Sequence, residues 1–145
     1  MGQEVDFKTV EKVSLNVHSL LIATEDKEVK ISKIIPISKD ESSLGYIINF
    51  DDNSFLIISG DYAIKPVLGY CKKNGFSYDN VPPGLLYLIN RYEAEIKYAR
   101  DNRLKPTNLT KSSWQALKNN PNEYKSLFSK SDVVSPYKHG MGSGL

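Results

Sequence analysis

Apolar residues recur along this chain in two rhythms, one helical and one alternating. In residues 11–25, EKVSLNVHSLLIATE, Leu15, His18, Leu21 and Ile22 fall on one stripe, with Ser14 placed to cap it, which predicts a helix. Residues 28–37, EVKISKIIPI, switch to the alternation of a strand through Val29, Ile31, Ile35 and Ile37, and Pro36 makes its end an edge or a bulge. GYIINF (45–50) and FLIIS (55–59) are β-branched runs too short for helices. Asp51-Asp52-Asn53-Ser54 between them gives a hairpin with Asp/Asn turn chemistry. VLGYC (67–71) is a further strand.

Residues 83–102 predict a long helix. Pro82 and Pro83 preset its first turn, and Leu85, Leu88, Ile89, Tyr92, Ile96 and Ala99 form one apolar face. Glu93, Glu95, Lys97 and Arg100 decorate the other side; Glu93 and Lys97 make an i,i+4 pair worth about 0.3 kcal/mol. Past Pro106 the chain turns polar, with two short helices predicted at 110–118 around Trp114 and 121–130 around Tyr124, Leu127 and Phe128. Contiguous strands with short turns argue for an antiparallel sheet. The fold class is α+β: an antiparallel sheet packed against the long helix, with an N-terminal helix and short C-terminal helices. One domain is expected over 1–130, with 131–145, ending SPYKHGMGSGL, as a flexible tail.

Composition narrows the function classes. The chain has 145 residues, 40% hydrophobic and 25% charged, which fits a globular domain with a real core. A net charge of +2 implies no broad nucleic-acid surface. No apolar run approaches the roughly 20 residues of a membrane span. A single cysteine excludes an internal disulfide and is neutral on compartment. The start, MGQEVD, is polar and acidic and does not read as a secretory leader.

Reaction chemistry is sparse. His18 and His139 are the two histidines; the first reads as a packed structural residue and the second lies in the tail, so no His-based metal site is expected. Cys71, beside Lys72 and Lys73, has no evident base and reads as a buried strand residue. Asp51, Asp52, Asp61 and Asp79 fall in turns, without the bidentate Glu of a calcium loop. No catalytic residue, metal or cofactor is assigned. Tyr78, Tyr87, Tyr92 and Tyr98 gather around the long helix, either as an aromatic core side or as a protein-binding surface. Asn108-Leu109-Thr110 forms a glycosylation triplet of the kind that arises by chance.

Residues 44–98 resemble the pro-segment of streptopain-like (C10 family) cysteine proteases and, equally, the separate Spi-type inhibitors built on it. The matching positions are Tyr46, Asn49, Phe50, Phe55, Ile57, Ser59, Gly60, Asp61, Leu68, Gly69, Tyr70, Gly75, Phe76, Tyr92 and Ile96. KVSLNVHSLLIAT is similar to the family's first helix, so the resemblance spans about residues 11–100. It implies a free-standing inhibitor, or equally an isolated inhibitory pro-domain, that blocks a C10-type cysteine protease at its cleft, exported by a bacterium, with no cofactor and no enzymatic activity of its own. Ser59, Gly60, Asp61, Leu68, Gly69 and Tyr70 are then scaffold. The expected protease contact is Asp79, Asn80, Val81, Pro82, Pro83 and Gly84, stiffened by the two prolines. Gly84 stands where relatives carry an Asn implicated in plugging the active site. That departure supports an alternative: a secreted or surface adhesion module that keeps the scaffold without inhibiting. The target protease and the oligomeric state stay open.

Overall fold

The computed structural model describes residues 4–25, 27–37, 43–73 and 75–131, with the side chains of 128–131 excepted. Of the expected tail, 131–145, Ser131 is the last residue of a helix, and 132–145 lie outside the described residues.

Four strands, β1 (Ile31–Pro36), β2 (Gly45–Phe50), β3 (Phe55–Ser59) and β4 (Val67–Cys71), form one sheet in the order β1-β2-β3-β4. Every neighbouring pair is antiparallel. The Asp51–Ser54 turn is the expected hairpin, with Asn53 at φ 71°, a left-handed position that Asn tolerates. Pro36 sits on an edge strand, where a missing N–H costs no ladder bond. Between β3 and β4 the pairing skips Leu68, a bulge. The Leu68 carbonyl accepts the Tyr92 hydroxyl at 2.8 Å instead. Burial is the main cause that pushes the Tyr92 phenol up to about 12.

Helices cover both faces of the sheet, where the sequence predicted cover on one. Alternation sorts the strand residues. Ile47, Phe55, Ile57 and Leu68 face α2 (Pro83–Asp101) through Leu85, Ile89, Tyr92 and Ile96. Ile48, Phe50, Leu56 and Ile58 face the opposite way, onto α1 (Phe7–Val17) and α3 (Asn108–Asn119) through Val10, Val13, Val17, Trp114 and Leu117. A continuous apolar run such as FLIIS, buried at all five positions, is what a central strand between two layers requires. A short α4 (Tyr124–Ser131) follows α3 and adds Tyr124, whose phenol burial also pushes up to about 12.

Several local expectations are corrected. The first helix starts at Phe7, capped by Asp6, whose Oδ1 accepts the Thr9 N–H at 3.0 Å. Ser14 is therefore not a cap; it lies mid-helix and fully buried. Leu15 is 39% exposed, and the buried stripe is Val10, Val13, Ser14 and Val17. The helix runs on as a π-helical turn, His18–Ile22, which rotates His18 and Ile22 inward. On α2 the observed pair is Arg91–Glu95 at 3.7 Å, not Glu93–Lys97. Arg100 does not decorate the open side; it reaches the core edge at Asp61.

Candidate functional site

Two groups of residues singled out in the sequence lie at opposite ends of α2. Ser59, Gly60 and Asp61 close β3 beside the C-terminal end of the helix. Asp79–Gly84 leads into its N-terminal end. Pro83 and Arg100 are about 25 Å apart along the axis, so the two groups do not meet.

The first group is a junction. Ser59 Oγ donates to the Asp61 carbonyl at 2.9 Å and accepts the Asp61 N–H at 3.0 Å. Asp61 Oδ1 accepts the Ala63 N–H at 2.8 Å, and Oδ2 accepts Arg100 Nε at 2.9 Å. Arg100 also donates to the carbonyls of Ser43 and Gly60, at 2.9 and 3.1 Å. The Gly60 N–H bonds the Leu44 carbonyl at 2.8 Å, and the Gly60 carbonyl accepts the Val5 N–H at 2.9 Å. A Cβ at Gly60 would stand 3.0 Å from the Leu44 carbonyl oxygen, so glycine permits this approach. Both oxygens of the Asp61 carboxylate are spent on the fold. Leu68 and Gly69 are buried in β4, and Tyr70 packs on the α1–α3 side. Ser59, Gly60 and Asp61 thus tie the end of β3 to α2 and to the N-terminal segment.

The second group is open to solvent. Ser77 begins a 3-10 turn, Tyr78–Asn80, its hydroxyl accepting the Asp79 N–H at 3.2 Å. Asp79, Asn80, Pro82, Pro83 and Gly84 are exposed, while Val81 is half-buried against the α2-side core. Val81 thus pins the middle of an exposed loop. Upstream, the Asn49 side chain grips Phe76 at two points: Oδ1 accepts the Phe76 N–H at 2.8 Å and Nδ2 donates to the Phe76 carbonyl at 2.9 Å. Phe76 packs edge-on against Phe55 and Tyr78, with ring centroids 5.9 and 4.9 Å apart. Burial, with a smaller contribution from Glu93, raises the Tyr78 phenol above its ordinary value. Downstream, α2 starts at Pro83, with the Leu86 N–H on the Pro82 carbonyl at 3.0 Å. Nothing lies within 4 Å of a Cβ built on Gly84. Tyr78, Leu86 and Tyr87, 48, 41 and 64% exposed, flank the loop along the chain.

The other polar cluster contains His18. Its Nε2 lies 2.7 Å from Asp52 Oδ2, and its ring packs at a tilt of 56° against Phe50, with centroids 4.6 Å apart. Burial works to raise the Asp52 carboxyl, but hydrogen bonds from Ser54 and His18 outweigh it and hold the group below its ordinary 3.8. The pair borders a surface cleft of about 400 Å³ that is also lined by Glu25, Lys27, Asp51 and Lys72. Cys71 is half-buried and its thiol donates to the Lys73 carbonyl at 3.0 Å. Among the described residues no three His, Cys, Asp or Glu side chains converge as metal ligands, and no helix is long and apolar enough to cross a membrane.

The scaffold is tied together by buried polar contacts and carries an exposed loop with two prolines. The profile of the Spi protease inhibitor family matches residues 8–96. The chain belongs to the Spi protease inhibitor family. Searches of curated proteins and of solved structures return no match. Membership makes the chain a protease inhibitor and not an enzyme, with a protease as its partner. The matched segment contains all of β1–β4, the exposed loop and most of α2, and stops before α3. Within this Spi-family scaffold, Asn49 and Arg100 carry roles that sequence reasoning missed. Asn49 stood among the matching positions without a task, and an Asn inside an apolar strand was its available signal. Arg100 gave none, because only the fold brings it to Asp61.

Proposed function

We propose that this chain inhibits a streptopain-like cysteine protease by seating the Asp79–Gly84 loop in its active-site cleft. The observation that carries the reading is the loop itself: exposed at five of six positions, yet braced by Val81, by the Asn49–Phe76 clamp and by the start of α2. A loop ordered before binding loses little conformational entropy on docking, the usual route to a tight inhibitor. The loop blocks substrate and disturbs the protease's Cys–His pair by occupancy. An exported bacterial setting goes with this target class.

Titrating the protein into a mature streptopain-like protease, with cleavage of a small peptide followed, tests the reading. Stoichiometric loss of activity is expected, and replacing residues 80–84 by a flexible Gly/Ser linker should relieve it while the fold survives. Unchanged inhibition by the linker variant would remove the loop from the mechanism. Gly84 favours a second reading, an adhesion module, because it presents no side chain where a plugging group is expected. Failure of the intact chain to inhibit any such protease would bring that reading forward.

A further inference from the structure

Six loop residues are too few for an inhibitory contact. A protease–inhibitor interface takes about 800 Å² from 20–30 residues on each partner, so six residues supply roughly 200 Å². The rest must come from surface continuous with the loop. Helix α2 begins inside it, at Pro83, and one face of the helix continues outward from there.

Opposite the buried stripe, Pro83, Tyr87, Asn90, Ala94 and Tyr98 follow one another at i, i+4, i+7, i+11 and i+15, which places them on one side of the helix. Tyr87 and Tyr98 are the large members of this row, 64 and 63% exposed. None of the five carries a charge. The charges lie on the flanks, the Arg91–Glu95 ion pair on one side and Glu93 and Lys97 on the other. The two tyrosines stand about 17 Å apart along the axis, with Ala94 as a low point one turn before Tyr98. An uncharged strip with large aromatic ends and a charged border has the anatomy of an interface core with a polar rim. Tyrosine suits it because its ring buries area while its hydroxyl keeps a polar partner. The strip is also rigid: α2 is fixed near its middle by Tyr92 to Leu68 and near its end by Arg100 to Asp61.

We propose that this outward face of α2 is the second part of the protease contact, with Tyr87 and Tyr98 as anchors in pockets beside the cleft that the loop enters. The inference rests on the inhibitor reading above. The loop blocks the cleft and the helix face extends the contact beyond it. The occupant is the protease and not a second copy of the chain, because family membership supplies a protease partner and the strip begins at Pro83, inside the loop assigned to it.

The test uses the full chain and a mature streptopain-like protease, with the inhibition constant measured by peptide cleavage. Tyr87→Ala and Tyr98→Ala are each expected to weaken inhibition about tenfold or more, and Tyr98→Lys further, whereas Tyr98→Phe keeps most of it. Both side chains are mostly exposed, so circular dichroism and melting should match the parent and separate lost contact from lost fold. If the parent inhibits and the linker-loop variant does not, but the tyrosine variants inhibit like the parent, the helix face is not part of the contact while the loop reading stands. If the parent itself does not inhibit, both fall. A concentration-dependent dimer in sedimentation, abolished by Tyr98→Lys, would assign the face to a second copy and overturn the proposal.

Discussion

Arg100 and Asp61 lie 39 residues apart in sequence and meet at 2.9 Å, joining the last turn of α2 to the end of β3. Asp61 is 1% exposed, and its carboxylate is compensated by Arg100 and by the Ala63 N–H. Arg100→Ala leaves that charge buried without its cation, and a loss of about 3 kcal/mol or more is expected in urea unfolding. Removing both partners, Asp61→Ala with Arg100→Ala, should cost less than the two single losses combined. A single-variant loss below about 0.5 kcal/mol would contradict the junction's role.

Ser14 offers the opposite case. Among the described residues its hydroxyl is fully buried with no hydrogen-bond partner. Ser14→Ala removes an uncompensated polar atom and adds a better helix former. Thermal unfolding is expected to shift upward, by about 1 kcal/mol in stability or somewhat less. A lower melting temperature would mean that the hydroxyl has a partner after all.

On the proposed loop reading, Gly84 is a direct handle on inhibition. A side chain there would project into open space, so Gly84→Asn fits without displacing a neighbour. Asn also costs less than Gly within a helix, by about a few tenths of a kcal/mol. The variant should melt at or slightly above the parent temperature and inhibit a streptopain-like protease more tightly. An equal or weaker inhibition constant would show that the missing side chain is not what limits binding.

Acid should act through Asp52. Its carboxyl sits below 3.8 in the folded chain, so its share of stability is present above that value. The share is lost as pH falls through the lower folded value. The group is 42% exposed, so the effect is modest. Urea midpoints between about pH 6 and pH 2.5 should fall more steeply for the parent than for Asp52→Asn, with the two curves converging at the acid end. Parallel curves would exclude Asp52 as a source of the acid sensitivity.

The strands were legible because their signals are local. GYIINF, FLIIS and VLGYC occupy the predicted positions, bounded by turn residues whose chemistry is readable one triplet at a time. The long helix was equally clear from its prolines and its apolar spacing. What eluded sequence reading depended on distant partners. The second helical layer needs Trp114 and Leu117 of α3 to lie against Val10 and Val13 of α1, about a hundred residues away. Ser14 resembled a cap because Ser favours that position, yet Asp6 eight residues earlier holds it. Arg100 resembled a surface charge until the fold brought Asp61 to it. The loop 79–84 was readable as the entry to α2 from its two prolines, whereas the Asn49 clamp on Phe76 just before it was not.

The pairing of α1 with α3 has a consequence for how the chain assembles. The four strands are neighbours in sequence order, so the meander forms through short loop closures, each entropically cheap. Helix α1 is made first, but the Asn16 side chain donates to the Leu117 carbonyl at 2.7 Å, and Val10, Val13 and Val17 find part of their cover on α3. During synthesis α1 therefore waits with part of its sticky side uncovered until α3 has emerged. Docking of the late helix onto the early one seals the molecule, and a chain interrupted before α3 leaves that seam open to aggregation.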